Sequence, residues 1–511
     1  MSDLIDSNHS FTHSALHSLS PMSKPSEVIA AHFPHQPTSG QQRLFRLFDI
    51  FLAQKDDRPN VLMLKGYAGT GKTTIVSALV QALPTFKRKL FLMAPTGRAA
   101  KVMAGYSGRN AYTIHKIIYQ RAADPYTGKY QFKRRRNYQK NTLFIIDEAS
   151  MLADDPGARR GVSTPGASTP GASTRGGLLT DLLDYVFEQP SNRLMLIGDV
   201  AQLPPVGQLL SRGLDADYLA SVLHLNIVET ELTEVMRQEQ QSGILANATA
   251  LRNQLGDEDF QIRFTTRGYP DVYRMTGERL EDGLRYAYDK FGKDSTAVIC
   301  RSNREAVEYN RYIRQQIFFY ENEIDVGDYL MVVKNNYFVL DDTSPIGFVA
   351  NGDFAEVMKI ITFEELYDLR FATLELRLLD YPDQPSFEAK VILDVLHTPS
   401  AALEEDKYQE LYQQVITDYQ DHGTNQEQRE AIRQDAYLNA LQIKFAYALT
   451  CHKSQGGQWD AVFVSQGYLI DEMIDQEYLR WLYTAITRAK QELYLMNFKE
   501  SFFSGGVNSG R

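Results

Sequence analysis

The stretch VLMLKGYAGTGKTTIVSALVQAL, residues 61–83, decides the fold. A short apolar run, a glycine-rich turn and a helix-prone segment follow one another, and the turn, from Gly66 to Thr73, fits the pattern GxxxxGK[ST]. Glycines there let backbone N–H groups wrap phosphate oxygens. Lys72 reaches the outer phosphates, and the Thr73 hydroxyl holds Mg²⁺. The residues expected in the cradle are Gly66, Ala68, Gly69, Thr70, Gly71, Lys72, Thr73 and Thr74. Outward from the loop, QRLFRLFDIFL from about Gln41 has apolar residues at helical spacing. Downstream, the runs at 90–93, 143–146 and 194–197 are separated by helix-length segments. That rhythm predicts a parallel sheet with crossover helices.

A second rhythm of the same kind starts near Leu225 and includes AVIC at 297–300, then returns at 444–449, 461–464 and 492–496. Two α/β cores in tandem are expected, the first over 37–224, the second over 225–335 and 440–500. Between them, VVKNNYFVL, FAEVMKI and TLELRLL alternate around the turn signal Asn351-Gly352. They predict a β-rich, SH3-like insertion over 336–439 that ends in a polar helical stretch. A flexible arm is expected over 1–36 and a tail over 501–511. PGARRGVSTPGASTPGASTRGG, 156–177, repeats STPGA and is expected to form a mobile insert.

The chain has 511 residues, 43% hydrophobic, with a formal net charge of −10. Such a length requires several domains, and the charge excludes a protein that coats nucleic acid by bulk attraction, so any such contact is a local groove. Only two cysteines occur, Cys300 and Cys451, without a CxxC pair, which supports neither a disulfide framework nor a zinc site and fits a reducing cytoplasm. No apolar run reaches membrane-spanning length, and the N-terminal segment does not read as a signal peptide.

FIIDEAS places Asp147 and Glu148 at the tip of an apolar strand. Near a phosphate loop, Asp147 is the expected Mg²⁺ ligand and Glu148 the base that polarises the attacking water. LIGDVAQLPPVG adds Asp199 and Gln202 after another buried strand, and the Gln202 amide can both donate to and accept from a terminal phosphate. In YQRAADPYTGKYQFKRRRNYQK, residues 119–140, Tyr126, Tyr130, Phe132 and Tyr138 alternate with Lys133, Arg134, Arg135 and Arg136 about a turn. Aromatic rings beside cations suit a single strand, as stacking platforms beside phosphate partners. The same composition also suits a solvated basic hairpin.

Taken in order, these motifs resemble the superfamily 1 helicases, and within them the RecD/Dda branch, from about Gln41 to Met496. The resemblance implies two RecA-like cores with ATP and Mg²⁺ between them and single-stranded DNA across both. It also implies a wedge hairpin at 119–140 and movement from 5′ to 3′. TSGQQ then looks like an adenine-reading motif with Gln41 as the reader. APTGRAAKVM supplies Pro95, Thr96 and Arg98 to the strand, and YTIHKII supplies Thr113 and His115. LTEVMRQ and YTAITRAK carry Arg237 and Arg488, matching two arginines on the γ-phosphate. LTCHKSQGGQWD brings Gly457 to ATP and Thr450, His452 and Lys453 to the strand. The expected partners are single-stranded DNA and duplex junctions, with RNA open as an alternative and the chain acting as a monomer. The expected catalytic set is Lys72, Glu148, Gln202, Arg237 and Arg488.

Overall fold

The computed structural model describes residues 24–54, 57–123, 130–154, 177–208, 210–236, 241–340, 344, 346–420 and 423–503. In the first core, strands β1 (Asn60–Gly66), β2 (Lys89–Ala94) and β3 (Ala111–Thr113) precede the hairpin β4 (Tyr119–Ala123) and β5 (Tyr130–Arg134). Then come β6 (Thr142–Ile146), β7 (Arg193–Gly198) and β8 (Asn226–Leu232). The main sheet has the order β3-β2-β6-β7-β1-β8, and each of its pairings is parallel. Strands β6 and β7 are buried along their whole length, as a parallel sheet covered by helices on both faces requires. Because β7 lies between β6 and β1, the chain leaves three adjacent strand ends at one edge. The phosphate loop, Asp147 and Asp199 meet there, at the carboxyl ends where such sheets carry their ligands.

The second core holds β9 (Val272–Met275), β10 (Thr296–Cys300), β16 (Ala448–Thr450), β17 (Trp459–Ser465) and β18 (Ala489–Met496) in the order β16-β10-β17-β18-β9. Strands β11 (Tyr329–Val332), β12 (Phe354–Leu366), β13 (Leu369–Leu378), β14 (Phe387–Ile392) and β15 (Leu441–Phe445) close a barrel. The helices Glu405–Asp418 and Asn425–Gln434 lie between its last two strands. The architecture is therefore α/β with two parallel sheets and a small inserted barrel.

Three expected boundaries move. The arm expected over 1–36 contains the helix Pro25–His32, which begins on proline and places Val28 and Ile29 among the apolar side chains of the first core. Ser26 fastens it, its hydroxyl donating to Asp49 at 2.7 Å. The apolar run of this helix is too short to stand out as periodic. Residues 226–232, expected to open the second core, instead form β8 and pair with β1 as the edge of the first sheet. Its half-exposed, polar-interrupted pattern is that of an edge strand. The barrel exceeds 336–439 at both ends because the apolar run at 441–450 is shared. Its first half is β15 in the barrel, its second β16 in the core. Asn310 fixes the break, donating to the carbonyls of Phe445 (3.1 Å) and Ala448 (2.9 Å) and accepting from the N–H groups of Tyr447 and Ala448.

The hairpin β4-β5 is antiparallel and runs from Tyr119 opposite Arg134 to Ala123 opposite Tyr130. Its turn, with Tyr126, lies outside the described residues, as does the repeat-bearing insert at 156–176.

Ile29 is 1% exposed. Ile29→Ala is expected to lower stability by about 2–5 kcal/mol, read as a lower urea midpoint. A midpoint within error of the parent chain would mean that this helix is not part of the core.

Candidate active site

The loop after β1 takes the left-handed turns that only glycine adopts without strain, with φ of 73° at Gly69 and 83° at Gly71. A Cβ on Gly71 would also lie 2.6 Å from the Met236 sulfur and 2.7 Å from Gln41 Nε2. The Lys72 ammonium sits inside the loop, donating to the carbonyls of Gly66 (2.6 Å) and Tyr67 (2.8 Å). Thr73 and Thr74 stand in the first turn of the helix Lys72–Ala82, where free N–H groups and the helix dipole favour an anion. Gln41 is buried behind the loop. Its Nε2 donates to the Thr70 carbonyl at 3.1 Å and its Oε1 accepts from the Thr38 N–H at 3.0 Å. The amide expected to read adenine thus caps its own helix and braces the loop, while Gln42 is exposed.

Asp147 follows β6 and is oriented from two sides. Tyr106 donates its hydroxyl to Oδ2 at 2.6 Å, and the Glu148 N–H donates to Oδ1 at 2.9 Å. Glu148 has φ of 53°, a left-handed conformation that costs a non-glycine residue energy and recurs at functional sites. Burial pushes its carboxyl up to about 7; Arg488 and Lys72 oppose the rise, and Asp147 and Asp199 add to it. Those five charged groups therefore share one electrostatic neighbourhood. Asp147 and the exposed Thr73 hydroxyl are hard oxygen donors of the kind Mg²⁺ takes. Gln202 is 7% exposed, and its buried Oε1 has no hydrogen-bond partner, an unmet acceptor beside the loop.

The second core closes on this edge through the helix Gln476–Ile486. The Tyr483 hydroxyl accepts the Ala68 N–H at 2.9 Å and donates to Asp199 Oδ2 at 2.6 Å, bridging the phosphate loop and the β7 end. Thr484 Oγ1 accepts the Leu203 N–H at 2.8 Å, Gln455 donates to the Leu203 carbonyl at 2.7 Å, and Arg480 donates to the Val200 carbonyl. Arg488 is buried, held by the carbonyls of Thr484 (3.0 Å) and Gly457 (3.2 Å). Gly457 therefore supports Arg488. Arg237 lies outside the described residues, although Met236 before it donates its N–H to the Gly69 carbonyl at 2.9 Å. A cavity of about 340 Å³ opens between the cores beside Tyr67, Gln202, Arg252 and Arg480.

The residues expected to meet a strand occupy facing loops. Thr96 caps the helix Gly97–Ser107, accepting the Ala99 N–H at 3.2 Å, and Pro95 precedes it half-buried. From the second core, Gly456 comes so close that a Cβ there would lie 2.7 Å from Ala99 Cβ and 3.1 Å from Thr96 Oγ1. Thr113 is buried and caps the next short helix. Burial pushes His115 down to about 4 and lowers His452, so both are neutral near pH 7. Lys453 is pushed down to about 8 by burial, and its ammonium donates to Asn351 of the barrel at 2.6 Å. Thr450 stands half-buried just before it. Arg98 turns away from these loops, into the junction with the barrel and the second core. Lys133 to Arg136 are exposed, and Tyr138 is 78% exposed.

Tyr106, Tyr483 and Thr484 were not singled out from the sequence. Tyr483 and Thr484 open the YTAITRAK motif that also carries Arg488, so the signal for them lies in that same stretch.

Residues 50–159 match the model of an AAA domain, and residues 445–496 match that of a UvrD-like helicase C-terminal domain. The chain is 28% identical over 191 residues to the ATP-dependent RecD2 DNA helicase of Deinococcus radiodurans, covering 37% of this chain and 21% of that protein. It is 26% identical over 306 residues to the ATP-dependent DNA helicase dda of Enterobacteria phage T4, covering 58% and 60%. A protein of Methanocaldococcus jannaschii is 24% identical over 496 residues, covering 86% of this chain and 37% of its own length. The chain thus spans between about a fifth and three fifths of these relatives. Among the described residues, no helix is long and apolar enough to cross a membrane.

With its carboxyl near 7, Glu148 keeps its proton between the ordinary value of 4.5 and about 7, where an unfolded chain has already lost it. Its protonated form therefore favours the native state at low pH, and that contribution fades as pH rises through 7. If Glu148 acts as the base, nucleoside triphosphate turnover should rise with pH through about 7, and Glu148→Gln should remove that rise. A limb centred near 4.5 would exclude Glu148 as the titrating base. Tyr483→Phe should cost about 1–3 kcal/mol, because the Ala68 N–H and Asp199 lose a buried partner. Thermal melting that matches the parent would show that the bridge contributes nothing.

Proposed function

We propose, for a chain that belongs to the superfamily 1 helicases of the RecD/Dda type, that it hydrolyses ATP between its two cores to move 5′ to 3′ along single-stranded DNA and to open duplex ahead. The observation that carries this reading is the closure of both cores over one phosphate loop. Tyr483 joins Ala68 to Asp199, and Arg488 acts on the same carboxyl as Lys72. A triphosphate can then be gripped from one lobe and have its transition-state charge answered from the other.

The amides from Gly66 to Gly71, with Lys72 and Thr74, hold the phosphates. Thr73 and Asp147 are the residues that would hold Mg²⁺, which when bound neutralises phosphate charge. Glu148 takes the proton of the attacking water. Gln202, with its free acceptor, senses the terminal phosphate and passes its state through Leu203 to Thr484. Arg488, steadied by Gly457, and Arg237 stabilise the developing charge. Gln41 braces the loop with one amide hydrogen and one oxygen lone pair, and its second hydrogen and lone pair are the ones left to read adenine.

Strand contact falls to Pro95, Thr96 and His115 on one core, with buried Thr113 holding the His115 helix from behind, and to Thr450, His452 and Lys453 on the other. Alternate tightening of the two sets converts cleft closure into steps. Neutral histidines suit hydrogen bonding or stacking rather than phosphate attraction, as expected for a groove in an acidic chain. The hairpin β4-β5, with Lys133 and Arg134 exposed on β5, serves as the wedge. The relatives named as DNA helicases favour DNA over RNA as the track.

Lys72→Ala should abolish strand-stimulated hydrolysis while leaving the melting profile near that of the parent; undiminished hydrolysis would refute the site. On duplexes with a single tail, a 5′ tail should support displacement and a 3′ tail should not. Displacement from the 3′ tail alone would reverse the assigned direction.

A further inference from the structure

Arg98 lies beside the residues that face the strand, yet its guanidinium points to neither strand loop. It lies 5.1 Å from the ring centre of Phe354, at the start of barrel strand β12, and 5.0 Å from that of Trp459, at the start of β17. Its Nη2 donates to the Asp294 carbonyl at 3.3 Å, and its Nη1 is 3.6 Å from Asp380 Oδ1. The side chain is 12% exposed and the Asp380 side chain 0%. Both Asp380 oxygens lack a hydrogen bond, so their charge is answered by Arg98 and by Lys101 at 3.5 Å. One side chain of the first core therefore touches the barrel and the second core together.

The route continues from Trp459. Its N–H donates to the Arg488 carbonyl at 2.9 Å, and its ring lies so close to Gly457 that a Cβ there would sit 2.5 Å away. Gly457 in turn accepts from the Arg488 guanidinium at 3.2 Å. A shift of the helix Gly97–Ser107, whose cap is Thr96, thus presses through a packed ring on the segment that carries Arg488.

We propose that Arg98 is a positioning residue that couples the strand-facing helix to Arg488 through Trp459, and is not a phosphate grip. The proposal rests on the motor reading above for what is coupled, but the contacts that carry it are independent of that reading. A flat guanidinium between two rings is what this position requires. Lysine keeps the charge and loses the planar stacking.

Arg98→Ala and Arg98→Lys in the full chain separate the two roles. For a phosphate grip, alanine should weaken strand binding, reduce the slope of log affinity against log salt by about one, and be rescued by lysine. For a positioning residue, strand KM and the salt slope stay within about twofold of the parent in both variants, strand-stimulated kcat falls about tenfold, and lysine does not rescue it. Adding Trp459→Phe to Arg98→Ala should then cost little more than the worse single change. Hydrogen exchange without nucleotide or strand tests the contact itself. Arg98→Ala should speed exchange at the Trp459 N–H and along the start of β17, and unchanged exchange overturns the proposal. If the parent chain shows no strand stimulation, the motor reading fails, and the exchange result still decides whether Arg98 holds Trp459.

Discussion

The hydroxyl of Tyr483 is the constraint on which the rest of the site depends. It is buried, it comes from the second core, and it has one partner on the phosphate loop and another on the β7 end. Burial and the neighbouring Asp199 push the phenol far above its usual range, so it stays a donor at any pH the fold survives. With Ala68 and Asp199 fixed by one atom, the Thr484–Leu203 and Arg480–Val200 contacts follow on the same helix face. Arg488, one turn further, is thereby delivered toward Glu148. Lys72, Asp147, Glu148 and Asp199 already meet at the edge of the first sheet, and the bridge adds Arg488 from the other core to them.

Charge is arranged economically around that bridge. Glu148 is held in a strained backbone conformation, half-buried and close to two cations and two carboxylates. Its proton affinity is the balance of burial against Arg488 and Lys72, so moving either cation alters the base. A cleft that opens and closes therefore changes the chemistry of its own catalytic group as well as its geometry.

Much of this was legible in the sequence because phosphate chemistry demands particular residues side by side. Gly66 to Thr73 are consecutive, as are Asp147 and Glu148, and Gln202 follows close on a buried apolar run, so each motif can be read locally. The two-core architecture was legible for a similar reason, since buried parallel strands leave continuous apolar runs. The partners that orient these groups were not legible: Tyr106 reaches Asp147 from a helix, and Tyr483 reaches Ala68 from the other core. Nothing local marks Tyr106, and Tyr483 is marked only by opening the motif that carries Arg488. Boundaries failed where one apolar run serves two sheets, at 441–450, and where β8 alternates as an edge strand. Arg98 was read by its neighbours in the chain, Pro95 and Thr96, but its side chain follows its neighbours in space.

The amide of Asn310 has a mechanical consequence. By joining both sides of the break between β15 and β16, it makes the barrel and the second core one body, with no slack at the joint. At Leu379 the barrel accepts from Lys101, so that body also meets the first core away from the phosphate loop's own contacts. A rotation at the cleft therefore cannot be taken up inside that body and must be carried whole to its seam with the helix Gly97–Ser107, as a stiff hinge leaf moves all its screws together.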